Sequence, residues 1–318
     1  MKKIIFTFFL ALMATTGLYA QQISVVSPGG STSLYKTLQE AIKGAEGGSV
    51  IYLPGGGFSI ADSVKITKKL TIIGIGHYTK NNNVDAFTSI MGNLWFDEGS
   101  DGSAVMGCHI TGDINIGSDD ILVRYCNLKS VQVNKKTCKG TVINQNYIRS
   151  RSNFNGTSAN ITNNVIYAVG NVTGGIISYN YFNGWFDAYN GGSTYQIESS
   201  LVSYNCFNQG DLTTYSNTLT IGNLGTSDHT GDDCIFIGSN INWTDVYENY
   251  NNGAISPLTN LHFKEAYKQY ENQVGIYAGN GFNDNQLAPV PYIVAKRVDE
   301  QTDASGKLNV KIRVKAGQ

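Results

Sequence analysis

Side chains that commonly bind sugars are concentrated in two stretches of the chain, residues 183–199 and 208–233. Aromatic rings stack on the apolar faces of sugar rings, while carboxylates and imidazoles hydrogen-bond to sugar hydroxyls. The candidates of these types are Trp185, Asp187, Tyr195, Glu198, Asp211 and His229. We predict that the two stretches form one wall of a shallow groove that binds a polysaccharide. The alternative is that the aromatic rings fold down over a strand face and pack there.

Arg149 and Arg151 are the best basic pair in the sequence. A polysaccharide lyase needs a basic side chain that takes a sugar proton, and a group or a bound Ca²⁺ that neutralises the uronate. No compact acidic cluster accompanies the two arginines, so an exposed pair on a turn is the competing interpretation. Ca²⁺ stays open as a cofactor, and no other cofactor is expected.

The four histidines are scattered along the chain and lack the spacing of metal ligands. They are His77, His109, His229 and His262. We therefore assign no residue as a metal ligand. The histidines are expected to be ordinary surface or turn residues, with His229 kept as a sugar-binding candidate.

A repeated eight-residue phrase must position these groups. It occupies residues 103–110, 121–128, 141–148, 159–166, 175–182, 200–207 and 234–241. Its sixth position forms a column of Cys108, Cys126, Asn146, Asn164, Asn180, Asn205 and Ser239. We predict that this column is a line of stacked side chains in space.

Large apolar residues stand three positions before and two positions after the column in every copy. Because strand side chains alternate between two faces, both can point inward only if the chain bends between them. Each phrase is therefore two short strands that meet at a corner. The early copies recur about every 18 to 20 residues, which is typical of stacked coils of parallel strands about 4.8 Å apart. An inward asparagine at such a corner can bond to the coils on either side.

The phrase and its asparagine column resemble the right-handed parallel β-helix of the pectin-lyase-like superfamily, in its exported bacterial form. Residues 37–76 resemble the capping helix and first coils of those domains. The resemblance implies an all-β solenoid with an N-terminal capping helix. It does not select an activity, because that superfamily includes lyases, hydrolases, adhesins and proteins without known activity.

The segment around Asp232 and Asp233 resembles the polygalacturonase segment in which paired aspartates hydrolyse a glycosidic bond. The repeat alignment places Asp119 and Asp120 at the same two positions several coils earlier. The other motifs of that family are missing from the sequence. We therefore interpret both pairs as corner residues and do not assign hydrolysis.

Residues 1–20 have the pattern of a secretory signal peptide, with Lys2 and Lys3 before an apolar run too short to span a bilayer. We predict a secreted, periplasmic or cell-surface protein whose mature chain has no transmembrane segment. Residues 21–290 are interpreted as the capped β-helix, and residues 291–318 as a tail. The tail alternates apolar and polar residues, which predicts a strand that caps the last coil.

The helix is predicted from a local signal. Thr37 and Glu40 have the spacing of a capping box, and the apolar residues that follow recur at helical spacing. This helix would cover the open end of the first coil.

The 23 basic and 24 acidic residues nearly balance, which argues against a nucleic-acid partner. A monomer is expected. Cys108 and Cys126 share one position of adjacent coils, so either a disulfide or two buried thiols would fit.

The interpretation that combines these signals is a secreted β-helix protein that binds or cleaves an extracellular polysaccharide or cell-surface glycan. The alternatives are a non-enzymatic surface or adhesion protein and a structural spacer. The sequence identifies neither the glycan nor a reaction.

Overall fold

Short strands separated by tight corners make up most of this chain. The computed structural model describes residues 22–78, 87–185, 197–209, 218–225, 232–238, 241–250, 256–257, 259–283, 292–298, 306–307 and 310–315.

The elements of the first half are, in chain order, β1 (Ile23–Val26), β2 (Thr32–Tyr35), α1 (Leu38–Gly44), β3 (Ser49–Leu53), β4 (Gly56–Ser59), β5 (Leu70–Gly74), β6 (Thr88–Met91), β7 (Leu94–Phe96), β8 (Ala104–Met106), β9 (His109–Ile110), β10 (Ile114–Ile116), β11 (Leu122–Arg124), β12 (Asn127–Leu128), β13 (Val131–Val133) and β14 (Thr141–Asn144). Those of the second half are β15 (Tyr147–Thr157), β16 (Ala159–Thr162), β17 (Val165–Thr173), β18 (Ile176–Ser178), β19 (Tyr181–Trp185), β20 (Ile197–Glu198), β21 (Leu201–Ser203), β22 (Cys206–Gln209), β23 (Leu219–Ile221), β24 (Leu224–Gly225), β25 (Ile235–Phe236), α2 (Trp243–Val246), β26 (Tyr247–Asn249), β27 (Asn260–Phe263), a 3₁₀ helix (Glu265–Tyr270), β28 (Tyr292–Val298) and β29 (Val310–Lys315).

Successive coils stack in parallel and form two long sheets. Sheet A has the order β2-β1-β3-β5-β8-β11-β14-β16-β18-β21-β23, and sheet B has the order β25-β24-β22-β19-β17-β15-β12-β9-β6-β4. A third side of the coil runs through β7, β10 and β13 to later parts of β15 and β17 and to β20. The all-β parallel solenoid that the repeat predicts is therefore confirmed.

A left-handed residue forms the corner between sheets A and B in each central coil. These residues, with φ between 52° and 58°, are Tyr125, Gln145, Asn163, Tyr179 and Tyr204. This conformation is uncommon for non-glycine residues, and here it turns the chain so that both flanking apolar positions face inward. Ile143 and Ile148, for example, are both fully buried, as the bend in the repeat predicts.

The asparagine column lies in the core beside these corners. Asn146, Asn164, Asn180 and Asn205 are fully buried. The Oδ1 atom of each accepts the backbone N–H of the column residue one coil earlier, at 2.9 to 3.0 Å. The Nδ2 atom donates to backbone carbonyls of its own and the preceding coil, as in the 2.9 Å bond from Asn164 to Ile143. The predicted ladder is confirmed.

The end of the column differs from the sequence alignment. Leu224 pairs with Ile235, so the residues before them, Asn223 and Cys234, take the column position. Asn223 Oδ1 accepts Asn205 N–H at 2.9 Å. The prediction for Ser239 is therefore wrong, because Cys234 holds that position; Ser239 itself lies outside the described residues.

The predicted N-terminal helix is confirmed as α1. Both hydrogen bonds of the Thr37–Glu40 capping box are present, and Leu38, Ala41 and Ile42 are buried in the solenoid core. Within the described ranges, no helix is long and apolar enough to cross a membrane.

The cysteines are free thiols in the structure. Cys108 and Cys126 are fully buried in the core. Burial raises the pKa of both thiols, that of Cys126 to about 12. Of the two alternatives, a disulfide and two buried thiols, the structure shows the buried thiols.

A C-terminal segment, which we call the strap, consists of the described residues between 241 and 283 and lies on the outer face of sheet B. Its apolar residues form a second core with outward side chains of that sheet, including Tyr181 and Cys206. Asn163 Nδ2 donates to the carbonyls of Ile276 and Ala278 at 2.9 and 2.8 Å. The strap thus buries sheet positions that would otherwise face water.

A carboxylate fixes the turn of the strap. Glu271 contacts the ring of His262, accepts Phe263 N–H at 2.8 Å and lies 3.3 Å from Lys268 Nζ. Burial alone would raise the pKa of Glu271. The hydrogen bonds from His262 and Phe263 outweigh this effect and hold the pKa below its usual value. The buried carboxylate of Glu271 therefore joins β27, through His262 and Phe263, to the 3₁₀ helix, through Lys268.

The tail contains the strand that its alternating pattern predicts. β29 pairs with β28 in an antiparallel two-stranded sheet. The capping role of the tail stays a prediction.

Candidate functional site

The sequence-predicted groove falls mostly outside the described residues. Asp187, Tyr195, Asp211 and His229 lie there, as does the side chain of Trp185. The backbone of Trp185 pairs with Gln209. Glu198 is half-buried at the end of β20, where Thr173 and Glu198 are register partners.

The second predicted stretch is not one continuous excursion. Residues 219–225 form β23, a corner and β24, in register with the coils on either side. The repeat pattern does not show this coil because its two apolar positions, three before and two after Asn223, carry Thr220 and Gly225.

The aspartate pairs occupy different corners, which corrects the repeat alignment. Asp233 has a φ of 54° and lies at the corner between sheets A and B, immediately before Cys234 of the column. Asp120, with a φ of 56°, lies before β11, at the turn that enters sheet A. The two pairs therefore do not represent one corner used twice.

A cluster of polar side chains lies on the outer face of sheet B, in the coils that precede those covered by the strap. We call it the histidine–arginine surface; it consists of His77, Ser89, His109, Asn127, Tyr147 and Arg149. Ser89, His109, Asn127 and Tyr147 are register partners in four successive coils. His109, Asn127 and Tyr147 directly follow the inward column residues Cys108, Cys126 and Asn146, so alternation turns them outward.

Tyr147 marks the border between this surface and the strap. Its ring contacts His77 edge-on, with ring centroids 5.6 Å apart, and Phe282 of the strap with centroids 5.3 Å apart. The surface therefore begins where the strap ends.

Among the described residues, Arg149 is a sequence-predicted binding residue whose side chain reaches this surface. Its Nη2 donates to the Ile110 carbonyl at 3.0 Å, and its Nε donates to the Leu128 carbonyl at 3.3 Å. The side chain thus extends back over two coils to the strand of His109. A guanidinium has five N–H donors, so these two bonds leave it able to bind an anion. Burial lowers the pKa of Arg149, but an arginine remains charged at neutral pH.

Arg151 follows a β-bulge, because the register of β15 against β17 shifts between Ile148 and Arg151. Its part in the predicted basic pair stays a prediction.

His109 lies beside the guanidinium with its ring partly exposed. Its Nδ1 is 3.4 Å from Ser89 Oγ, and Phe87 contacts the ring edge-on at 5.7 Å. Burial, followed by the charge of Arg149, lowers the pKa of His109. The imidazole is therefore neutral at pH 7 and can accept a proton.

His77 and Asn127 are buried polar groups of the same surface. His77 is 3% exposed, and neither of its ring nitrogens has a hydrogen-bond partner in the described chain. Asn127 Oδ1 also has no hydrogen-bond partner in the described chain. A buried polar atom without a hydrogen-bond partner costs free energy. Such atoms therefore call for an explanation, and a functional role is one.

The buried His77 predicts a loss of stability in acid. Burial, with the charge of His109 second, lowers the pKa of His77 from 6.5 to about 3. Between these two values the unfolded chain binds a proton that the folded chain does not. The contribution is complete above pH 6.5 and is lost as the pH falls, by about 1.4 kcal/mol per pH unit. Urea unfolding of His77→Phe between pH 6 and pH 4 should show a flatter dependence than the parent, and parallel curves would contradict this.

The surface combines a fixed cation, a neutral base and an amide. Such a set can bind a carboxylate and take a proton from a neighbouring carbon. No group of three or more metal-ligating side chains occurs in the described ranges. The sequence reasoning missed His77 and His109 because nothing in their local pattern marks them; the only signal for His109 was its place next to the column.

No protein-family model, no curated protein and no solved structure matches this chain. The candidate site is therefore defined by the geometry of this chain alone.

Proposed function

We propose that this chain is a secreted β-helix protein of the pectin-lyase-like type that binds an extracellular polysaccharide bearing carboxylate groups. The observation that carries the proposal is Arg149, whose guanidinium is held by two backbone carbonyls on the open face of sheet B, next to His109. A charged group that the fold positions in this way is suited to a bidentate carboxylate.

Neighbouring charges support an anionic ligand at this point. Lys129 precedes Arg149 by one coil, but it pairs with Asp113 at 3.1 Å. Arg149, and not Lys129, therefore supplies the positive charge for a ligand at this position. The signal-peptide pattern of residues 1–20 supports export to where such polysaccharides occur.

Cleavage is a second candidate function, favoured by the neutral His109 beside the cation. Arg149 would neutralise a uronate carboxylate, and His109 would take the proton from the adjacent ring carbon. The bond to the leaving sugar oxygen then breaks, a carbon–carbon double bond forms, and the oxygen takes a proton. This elimination consumes no water and no other reactant.

Arg149→Ala should weaken binding of an acidic polysaccharide about 10- to 100-fold, because a charge-assisted hydrogen bond contributes about 1.5 to 3 kcal/mol. The measurement is calorimetric titration with polygalacturonate and with its carboxyl-reduced form, which the parent should not bind. Arg151→Ala is the matched control, since it removes the same charge beyond the bulge. Equal binding by Arg149→Ala and the parent would refute the proposal.

A separate assay distinguishes binding from cleavage. Incubation with the same polysaccharide is followed by the absorbance of unsaturated products and by reducing ends. A rise in both that His109→Ala abolishes would establish a lyase. Binding without products would establish the non-enzymatic surface or adhesion protein.

A further inference from the structure

A hydroxyl and an imidazole lie side by side on the histidine–arginine surface. Ser89 of β6 and His109 of β9 are register partners on neighbouring coils, and Ser89 Oγ lies 3.4 Å from His109 Nδ1. A catalytic nucleophile and its base are typically about 2.6 to 3.2 Å apart and are often farther apart without a substrate. The two side chains therefore have the chemistry and the placement of a serine nucleophile with its general base.

The surroundings leave room for a small group beside Ser89. Its register partner in the preceding coil is Gly57, which has no side chain. The exposed side chain of Met91 lies over this glycine, with Cε 3.1 Å from the position that a Cβ of residue 57 would take. The exposed ring of Phe87 contacts the His109 ring edge-on. The hydroxyl is thus bordered by apolar groups that suit a short acyl chain.

The protonation state of His109 suits the role of a base. Burial and then the charge of Arg149 hold the pKa of His109 below its usual value, so the imidazole is neutral at pH 7. When its one proton is on Nε2, Nδ1 can accept the hydroxyl proton of Ser89. The charge of Arg149 also favours the negative oxygen that forms when a hydroxyl attacks an ester carbonyl.

We propose that Ser89 and His109 form a nucleophile–base pair that removes small acyl groups, such as acetyl, from esterified hydroxyls of an acidic polysaccharide. This activity is additional to binding and elimination, and its substrate class rests on the proposed function. The elimination described above does not use Ser89.

The reaction has two steps. In the first, Ser89 Oγ bonds to the ester carbonyl carbon, and His109 Nδ1 takes the hydroxyl proton. The bond from that carbon to the sugar oxygen breaks, and the sugar oxygen receives the proton from His109. In the second step, water attacks the acyl-serine and one of its protons passes through His109 to Ser89 Oγ. The acyl group then leaves as the carboxylic acid.

The first test is labelling with a fluorophosphonate, which reacts with activated serines, followed by mass spectrometry of the digested protein. We expect the parent to be modified at Ser89, His109→Ala to react about 100-fold more slowly, and Ser89→Ala not to react. Ser31→Ala is the matched control, because Ser31 is exposed and its Oγ lies 2.7 Å from the hydroxyl of Ser27. An unmodified Ser89 in the parent, or equal labelling of His109→Ala, would refute the pair.

The second test separates this inference from the proposed function. Hydrolysis of 4-nitrophenyl acetate is followed by absorbance, and that of acetylated polygalacturonate by the acetate released. We expect the parent to hydrolyse both and Ser89→Ala to hydrolyse neither, with melting temperatures that verify folding. If the parent binds polygalacturonate but hydrolyses neither ester, the pair is refuted while the Arg149 site stands. Hydrolysis of the nitrophenyl ester alone would refute the polysaccharide substrate and keep the pair.

Discussion

Asn164→Leu should lower the free energy of unfolding by on the order of 4 kcal/mol, because several buried groups lose partners at once. Asn164 Oδ1 accepts Asn146 N–H at 2.9 Å, and its Nδ2 donates to the carbonyls of Ile143 and Thr162 at 2.9 and 3.0 Å. Leucine has similar bulk but satisfies none of these groups. Each buried donor or acceptor left unpaired costs about 1 to 3 kcal/mol.

Asn160→Leu is the control for this prediction, since Asn160 lies in the preceding strand, β16, with its side chain exposed. Such surface changes usually alter stability by about 0.5 kcal/mol or less. Equilibrium unfolding in urea measures both variants. If Asn164→Leu proved as stable as Asn160→Leu, the ladder would not contribute to stability as described.

Tyr247→Ala should detach the strap and cost about 3 to 5 kcal/mol, as truncation of a large buried aromatic commonly does. Tyr247 is 2% exposed. Its ring stacks on Trp243 with centroids 5.4 Å apart and contacts Tyr181 of sheet B edge-on at 5.6 Å. These rings belong to a core separate from the solenoid interior, so the coils should stay folded.

Hydrogen exchange tests this separation. Amides of the strap should lose protection in Tyr247→Ala, while those of the asparagine column should keep it. Phe236→Ala, at a residue that is 55% exposed, should change neither. Uniform loss of protection along the whole chain would show that the strap and the coils unfold as one unit.

The solenoid could be predicted from the sequence because its signals repeat locally. The central corners have an inward asparagine between two apolar residues, and Asn146, Asn164 and Asn180 show this pattern within a few residues of sequence. The pattern weakens around Asn223, where the apolar positions carry Thr220 and Gly225, so this copy was missed. The last copy was misassigned by several residues, because Cys234 and not Ser239 holds the column position.

The candidate site could not be predicted because its contacts join distant parts of the chain. Arg149 bonds to Ile110, 39 residues away, and Asn163 bonds to Ile276, 113 residues away. No periodicity within residues 241–283 shows which face of the coils they cover. The strap covers Tyr181 and leaves His109 accessible. Its position on sheet B therefore determines where an exposed site can exist.

The most direct test of the proposed function is a crystal structure of the protein with a galacturonate tetramer. We predict that the ligand lies on sheet B, with a carboxylate on Arg149 and with His109 beside the sugar that carries this carboxylate. A tetramer bound only by the stretches 183–199 and 208–233, away from Arg149, would contradict the proposal.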